Sequence, residues 1–178
     1  MRGEHAETYG KERQQSKDAY GPRTAASDAE RDSEAAARSL SIEPHLSPVR
    51  SSEEIESAIR ALAGKENGGL VMAPDFFLNS GNQWDLFISL AARYRMPAAY
   101  PYAYMVNAGG LISYGIDQVD LFRRASGYID RVLKGVRPED LPVQLPTKFE
   151  MAINLRTAKA SGFVIPPILV GSADEVVE

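Results

Sequence analysis

Four segments decide how this chain folds: GGLVMAPDFF (68–77), RYRMPAAYP (93–101), AGGLISYGIDQVDLFRRASGYIDRVLKG (108–135) and LPTKFEMAINLRTAKASG (145–162). Each contains an apolar run of strand length that stops at a turn and hands over to an amphipathic helix. That alternation is the pattern of a parallel sheet with crossover helices, so the expected fold class is α/β. In open sheets of this kind ligands collect where the strands end. Candidate functional residues are therefore sought just after each apolar run.

Working outward, Ser51 stands three residues before Glu54, a capping-box spacing, and Ile55, Ala58, Ile59 and Leu62 follow on one helical face. Gly64 and the pair Gly68-Gly69 end that helix. LVMAP then reads as a short strand apolar on both faces. Asn82 is placed to cap the next helix, whose apolar face is Trp84, Phe87, Ile88 and Ala91 and which Pro97 stops. AAY is a strand, YAYMV one short helical turn, and LISY a further strand.

Asp117 is positioned to cap the longest helix, which ends at Gly135. Leu121, Ala125, Tyr128 and Val132 line one face of it, and Phe122, Ile129 and Leu133 widen that face, which predicts burial on two sides. The proline-spaced VRPEDLPVQLPT reads as a linker-like crossing. FEMAIN alternates as a strand, and Asn154 opens a short helix closed by Gly162.

At 178 residues, with 44% apolar content, the chain can bury one good core. Its formal charge is −4 and no stripe of Lys or Arg tracks phosphates, so neither nucleic acid nor an anionic membrane is an expected partner. The absence of cysteine removes disulfides, thiolate metal sites and cysteine nucleophiles. Only His5 and His45 remain as imidazoles, without helical zinc spacing, so neither a metal nor a cofactor is expected. No run of about 18 apolar residues occurs, so the chain is not expected to span a membrane.

Residues 1–30 hold almost no large aliphatic side chains and read as a disordered or unrelated leader, leaving 31–178 as the α/β domain. The leader lacks the apolar stretch of a secretory signal. As written, the chain is then expected in the cytoplasm.

Asp75, directly after LVMAP, is the first candidate ligand contact, against the alternative of a turn aspartate. Ser113, Tyr114 and Gly115 end a strand before a helix start whose N–H groups favour a carboxylate, against the alternative of a tight turn capped by Asp117. Phe76, Phe77, Tyr100, Tyr102 and Tyr104 offer ring surface for a flat ligand, or core packing. No nucleotide fingerprint, nucleophile elbow or serine with an evident base is present. An α/β enzyme or phosphoacceptor domain rests on Asp75 alone and lacks the acidic pair and lysine such a site needs.

At these motifs, together with the closing IPPILVGSADEVVE, the chain resembles the carboxyl-terminal part of the ABC transporter substrate-binding proteins of the tryptophan/tyrosine type. The resemblance runs from about Ser33 to Glu178. It implies two α/β lobes joined by a hinge, as in type I periplasmic binding proteins, closing on a small amino-acid-like solute, aromatic or aliphatic, and presenting it to a membrane permease without catalysis. It also implies that residues 33–105 form most of the second lobe and that the helix from Asp117 to Lys134 returns to the first. FEMAINLRTAKASG revisits the second, and residues 137–147 act as hinge. By the same resemblance Asp75, Ser113, Tyr114, Gly115 and Asp117 contact the ligand, Asp75 through an ammonium group, and Phe76 or Tyr102 stacks on its side chain. The family places such a receptor outside the cytoplasm. Because a first lobe is not recognisable here, a truncated relative without binding activity is the alternative.

Overall fold

The computed structural model describes residues 34–65 and 67–178, with the side chain of Phe76 also outside the description. The expected leader at 1–30 lies outside the described residues. The chain divides into two compact units, Met1–Pro48 and Val49–Glu178. In the first, residues 34–39 are helical, and the Arg38 guanidinium lies 3.2 Å from the Glu34 carboxylate one turn earlier. This helix ends at Ser41 in the left-handed region.

The second unit runs α1 (Ser52–Leu62), β1 (Leu70–Val71), α2 (Phe76–Asn79), α3 (Gln83–Arg93), β2 (Ala98–Tyr100), α4 (Ala103–Asn107), β3 (Ile112–Ile116) and α5 (Gln118–Leu133). A 3-10 turn (Pro138–Asp140) leads to β4 (Phe149–Asn154), α6 (Leu155–Ser161), α7 (Pro167–Ser172) and β5 (Glu175–Val177). The strands form one sheet in the order β1-β2-β3-β4-β5.

The sheet is mostly parallel. β1 pairs β2, β2 pairs β3 and β4 pairs β5 in parallel, whereas β3 and β4 run antiparallel with Ile116 opposite Phe149. The exception follows from the path after β3. The chain leaves the carboxyl edge along α5, returns along 136–148 to that same edge, and must enter β4 in the reverse sense.

Capping works as the residue types require. The Ser51 hydroxyl accepts from the Glu54 N–H at 3.2 Å, while the Glu54 carboxylate reaches back to the Arg50 N–H, one residue beyond the reciprocal partner of a capping box. The Asn154 side chain accepts from the Thr157 N–H, and Gly162 closes α6 at φ +80. Asn82 occupies the N-cap position of α3, as expected, and its carbonyl accepts from the Leu86 N–H at 3.0 Å, but its side chain makes no capping hydrogen bond.

The core gathers Ile55 and Ile59 of α1, Phe87, Ile88, Leu90 and Ala91 of α3, Met105 of α4 and the inward residues of β1 and β2. Two expectations about apolar runs fail. Only Leu70 and Val71 of LVMAP pair as strand, and the two sides differ: Leu70 faces the core while Val71, on the opposite face, is 84% exposed. The long helix α5, expected to be buried on two sides, has no buried residue.

Candidate functional site

Because β1, β2 and β3 are parallel, their carboxyl ends lie along one edge, and the residues just beyond them meet there: Asp75 after β1, Tyr102 after β2, and Asp117 after β3. β4 begins at this edge, which brings Lys148 to it. Five of the seven candidate residues, Asp75, Tyr102, Tyr114, Gly115 and Asp117, carry a structural duty at this edge or beside it.

Asp75 caps α2. Its Oδ1 accepts from the N–H groups of Phe77 at 2.8 Å and Leu78 at 3.3 Å. The residue is exposed, leaving Oδ2 toward solvent. Phe76 is the first residue of α2. Tyr102 precedes α4 and stacks on Tyr104 with ring centroids 5.5 Å apart, and Tyr104 meets Trp84 edge-to-face at 5.7 Å. Burial and the neighbouring Tyr102 phenol push the Tyr104 hydroxyl above its ordinary pKa.

The triplet Ser113, Tyr114 and Gly115 does not converge, because successive side chains of a strand point to opposite faces. Tyr114 is exposed and stacks on Phe149 across the sheet at 5.9 Å. Ser113 and Gly115 face the other way, opposite Ala152 and Glu150. A Cβ at Gly115 would stand 1.9 Å from the Pro101 carbonyl oxygen, so close backbone approach explains the glycine there. Ser113 is fully buried, and its hydroxyl has no hydrogen-bond partner. Buried hydroxyls are rarely left so.

Asp117 is nearly buried and doubly committed. Oδ1 accepts from the Asp120 N–H at 2.9 Å as the α5 cap, and Oδ2 accepts from Lys148 Nζ at 2.7 Å. The Lys148 ammonium and then the Asp120 N–H hold its carboxyl below the ordinary carboxylate range, and Asp117 in turn raises Lys148. Glu150, next along β4, is pushed up by burial and by the Asp117 charge. The start of α5 is thus filled by the chain's own carboxylate, with Asp120 adding a second negative charge, and does not offer the empty carboxylate cradle that the strand-to-helix junction suggested.

Lys148 is the residue that sequence reading missed. It lies 31 positions from Asp117, and nothing local announces the pair. A hollow between α3 and α6, lined by Ile88, Ala91, Tyr100, Leu111, Thr157 and Phe163 among others, includes Tyr100 of the aromatic group but none of Asp75, Phe76, Tyr102, Ser113, Tyr114, Gly115 and Asp117, and has room for about one water. Among the described residues, no group of three or more His, Cys, Asp or Glu stands where it would hold a metal, and no helix is long and apolar enough to cross a membrane.

The profile of the ABC transporter substrate binding protein family matches residues 20–177. No curated protein sequence matches. Among solved structures, a conserved domain protein from Vibrio cholerae O1 biovar eltor superposes with a TM-score of 0.75 at 21% identity, covering 85% of this chain and 50% of that one. The ABC domain in complex with L-Trp from Streptococcus pneumonia gives 0.71 at 28% identity, covering 81% and 49%. The ligand-free, open CD0873, a substrate binding protein with adhesive properties from Clostridium difficile, gives 0.60 at 19%, covering 88% and 52%. The chain therefore spans about half the length of the solved structures it matches.

Proposed function

The chain belongs to the ABC transporter substrate-binding protein family, and from that premise we propose that the carboxyl edge of β1–β3 forms one wall of a site for a small amino-acid-like solute. The observation that carries this reading is that Asp75 and Tyr102 both follow parallel strands at that edge, while the buried Ser113 hydroxyl of β3 has no hydrogen-bond partner among the described residues. The outward carboxylate oxygen of Asp75 suits an ammonium group, and the Tyr102 ring, already aligned with Tyr104, suits stacking on a flat side chain. The ligand seen in the streptococcal relative, L-Trp, carries both groups. The role is binding and delivery to a permease outside the cytoplasm, with no chemical step.

Trp84 sits within this aromatic group, so its fluorescence reports unfolding beside the site. Thermal melts with a panel of free amino acids are expected to show an upward shift for the aromatic class, because a ligand that prefers the native state stabilises it by mass action. Asp75→Ala and Tyr102→Ala should each abolish the shift. A midpoint indifferent to every amino acid in the panel at millimolar concentration would refute the proposal.

A further inference from the structure

Glu150 is the second residue of β4, at the end where that strand begins, and it lies opposite Gly115 of β3. Ser113 lies opposite Ala152. Alternate residues of a strand point the same way and cross-strand partners point together, so these four share one face of the sheet. Glu150 and Ser113 stand at diagonal corners, with a glycine and an alanine at the other two. The Pro101 carbonyl oxygen closes over Gly115 so tightly that a Cβ would not fit.

Three oxygens thus border one niche, and none is spent. Among the described residues the half-buried Glu150 carboxylate receives no hydrogen bond, the fully buried Ser113 hydroxyl has no partner, and the Pro101 carbonyl accepts no backbone hydrogen bond. Buried acceptors in this state call for a donor. Tyr102 adjoins the niche, because Pro101 immediately precedes it.

Charge decides the kind of donor. Asp117, Asp174 and Glu175 add negative potential around Glu150, and the neighbouring cation, Lys148, is held by Asp117 at 2.7 Å. Burial, and then the Asp117 charge, raise the Glu150 carboxyl above its ordinary range, a cost that a bound cation offsets. A ligand carboxylate meets repulsion here, and the start of α5, the other seat for one, is filled by Asp117. In the sheet order Asp75 approaches Tyr102 from the β1 side and Glu150 from the β4 side, so the edge is acidic on both sides of the ring.

Resting on the reading of this edge as one wall of a solute site, we propose that Glu150, with the Pro101 carbonyl and the Ser113 hydroxyl, receives the ammonium group of a solute stacked on Tyr102, and that this wall is indifferent to the solute's carboxylate. An ammonium group carries three N–H donors, one for each oxygen. Primary aromatic amines are therefore ligands in their own right.

Scanning calorimetry of the chain with three probes that share an indole ring separates the groups. Tryptamine carries ring and ammonium, indole-3-propionate carries ring and carboxylate, and L-Trp carries all three. Tryptamine should raise the midpoint at least as far as L-Trp, and indole-3-propionate should leave it unmoved. Glu150→Gln keeps the shape and removes the charge, so it should hold the unliganded midpoint while weakening tryptamine at least tenfold. An inert tryptamine beside a stabilising L-Trp, an indole-3-propionate that matches tryptamine, or an undiminished tryptamine response in Glu150→Gln would each overturn the inference and leave the solute site standing. Silence to all three probes removes the solute site and the inference together.

Discussion

The α1–α3–β2 layer and helix α5 are written with similar apolar periodicity and come to opposite ends. In the layer, Ile55 and Ile59 repeat at helical spacing and are 1% and 2% exposed, because α1 lies against α3 and the sheet closes over both. In α5, Phe122, Ile129 and Leu133 repeat just as well and stay in solvent, because within the described residues the only segment running along that helix is 142–147, on the other side. An apolar stripe states that a surface is available for burial. Whether burial happens depends on what the rest of the chain brings to it.

The sharpest way to break this comparison is to truncate matched residues. Ile59→Ala should cost about 2–5 kcal/mol in urea unfolding, while Ile129→Ala, measured at high dilution, should stay within about 0.5 kcal/mol. Equal losses would mean that α5 is packed after all. A smaller effect is expected at Asn154, whose buried side chain both caps α6 and donates to the Val106 carbonyl at 3.0 Å. Asn154→Ala should cost about 1–3 kcal/mol, with amide exchange accelerated first in α4 and α6, and a neutral result would remove the polar tie between those helices.

The smallest expected effect concerns Lys148, which clips the start of α5 to the start of β4. Asp117 is held below its ordinary value of 3.8, so its contribution to stability is complete above that pH and is lost as pH falls through the lowered value. Lys148 is raised above 10.5, so its contribution is complete below that pH and disappears as pH rises through the raised value. The thermal midpoint of the native chain should therefore drop at both extremes. In Lys148→Met the alkaline limb should become shallower, the raised Tyr104 and Tyr100 hydroxyls still contributing to it, and the acid limb should become shallower too, the Asp120 and Val119 N–H groups remaining to favour the carboxylate. Superimposable profiles for the two proteins would show that the pair contributes nothing.

Much of the fold was legible because its cues are local. The caps at Ser51, Asp117 and Asn154, the stop at Gly162 and the strands AAY and FEMAIN all follow from neighbouring residues, and the strand expected at LISY is found shifted to Ile112–Ile116. The pair α7–β5 was not read from IPPILVGSADEVVE, since β5 has only three residues and its pairing to β4 is a long-range matter. The candidate site was legible as a place more than as a set of contacts. Strand alternation alone separates Tyr114 from Ser113 and Gly115, a distinction available in the sequence, whereas the commitment of Asp117 to Lys148 was not available there.

By itself the sequence determined the α/β class, the helix starts and stops, and which residues would follow each strand, because those depend on spacing and on hydrogen bonds within a turn. Only the tertiary structure decided that β4 enters against β3, that Lys148 reaches Asp117, that the Ser113 hydroxyl is buried without a partner, and that α5 keeps its apolar seam in solvent. Each of these joins, or fails to join, groups distant along the chain. No local pattern carries that information until the backbone has closed around it.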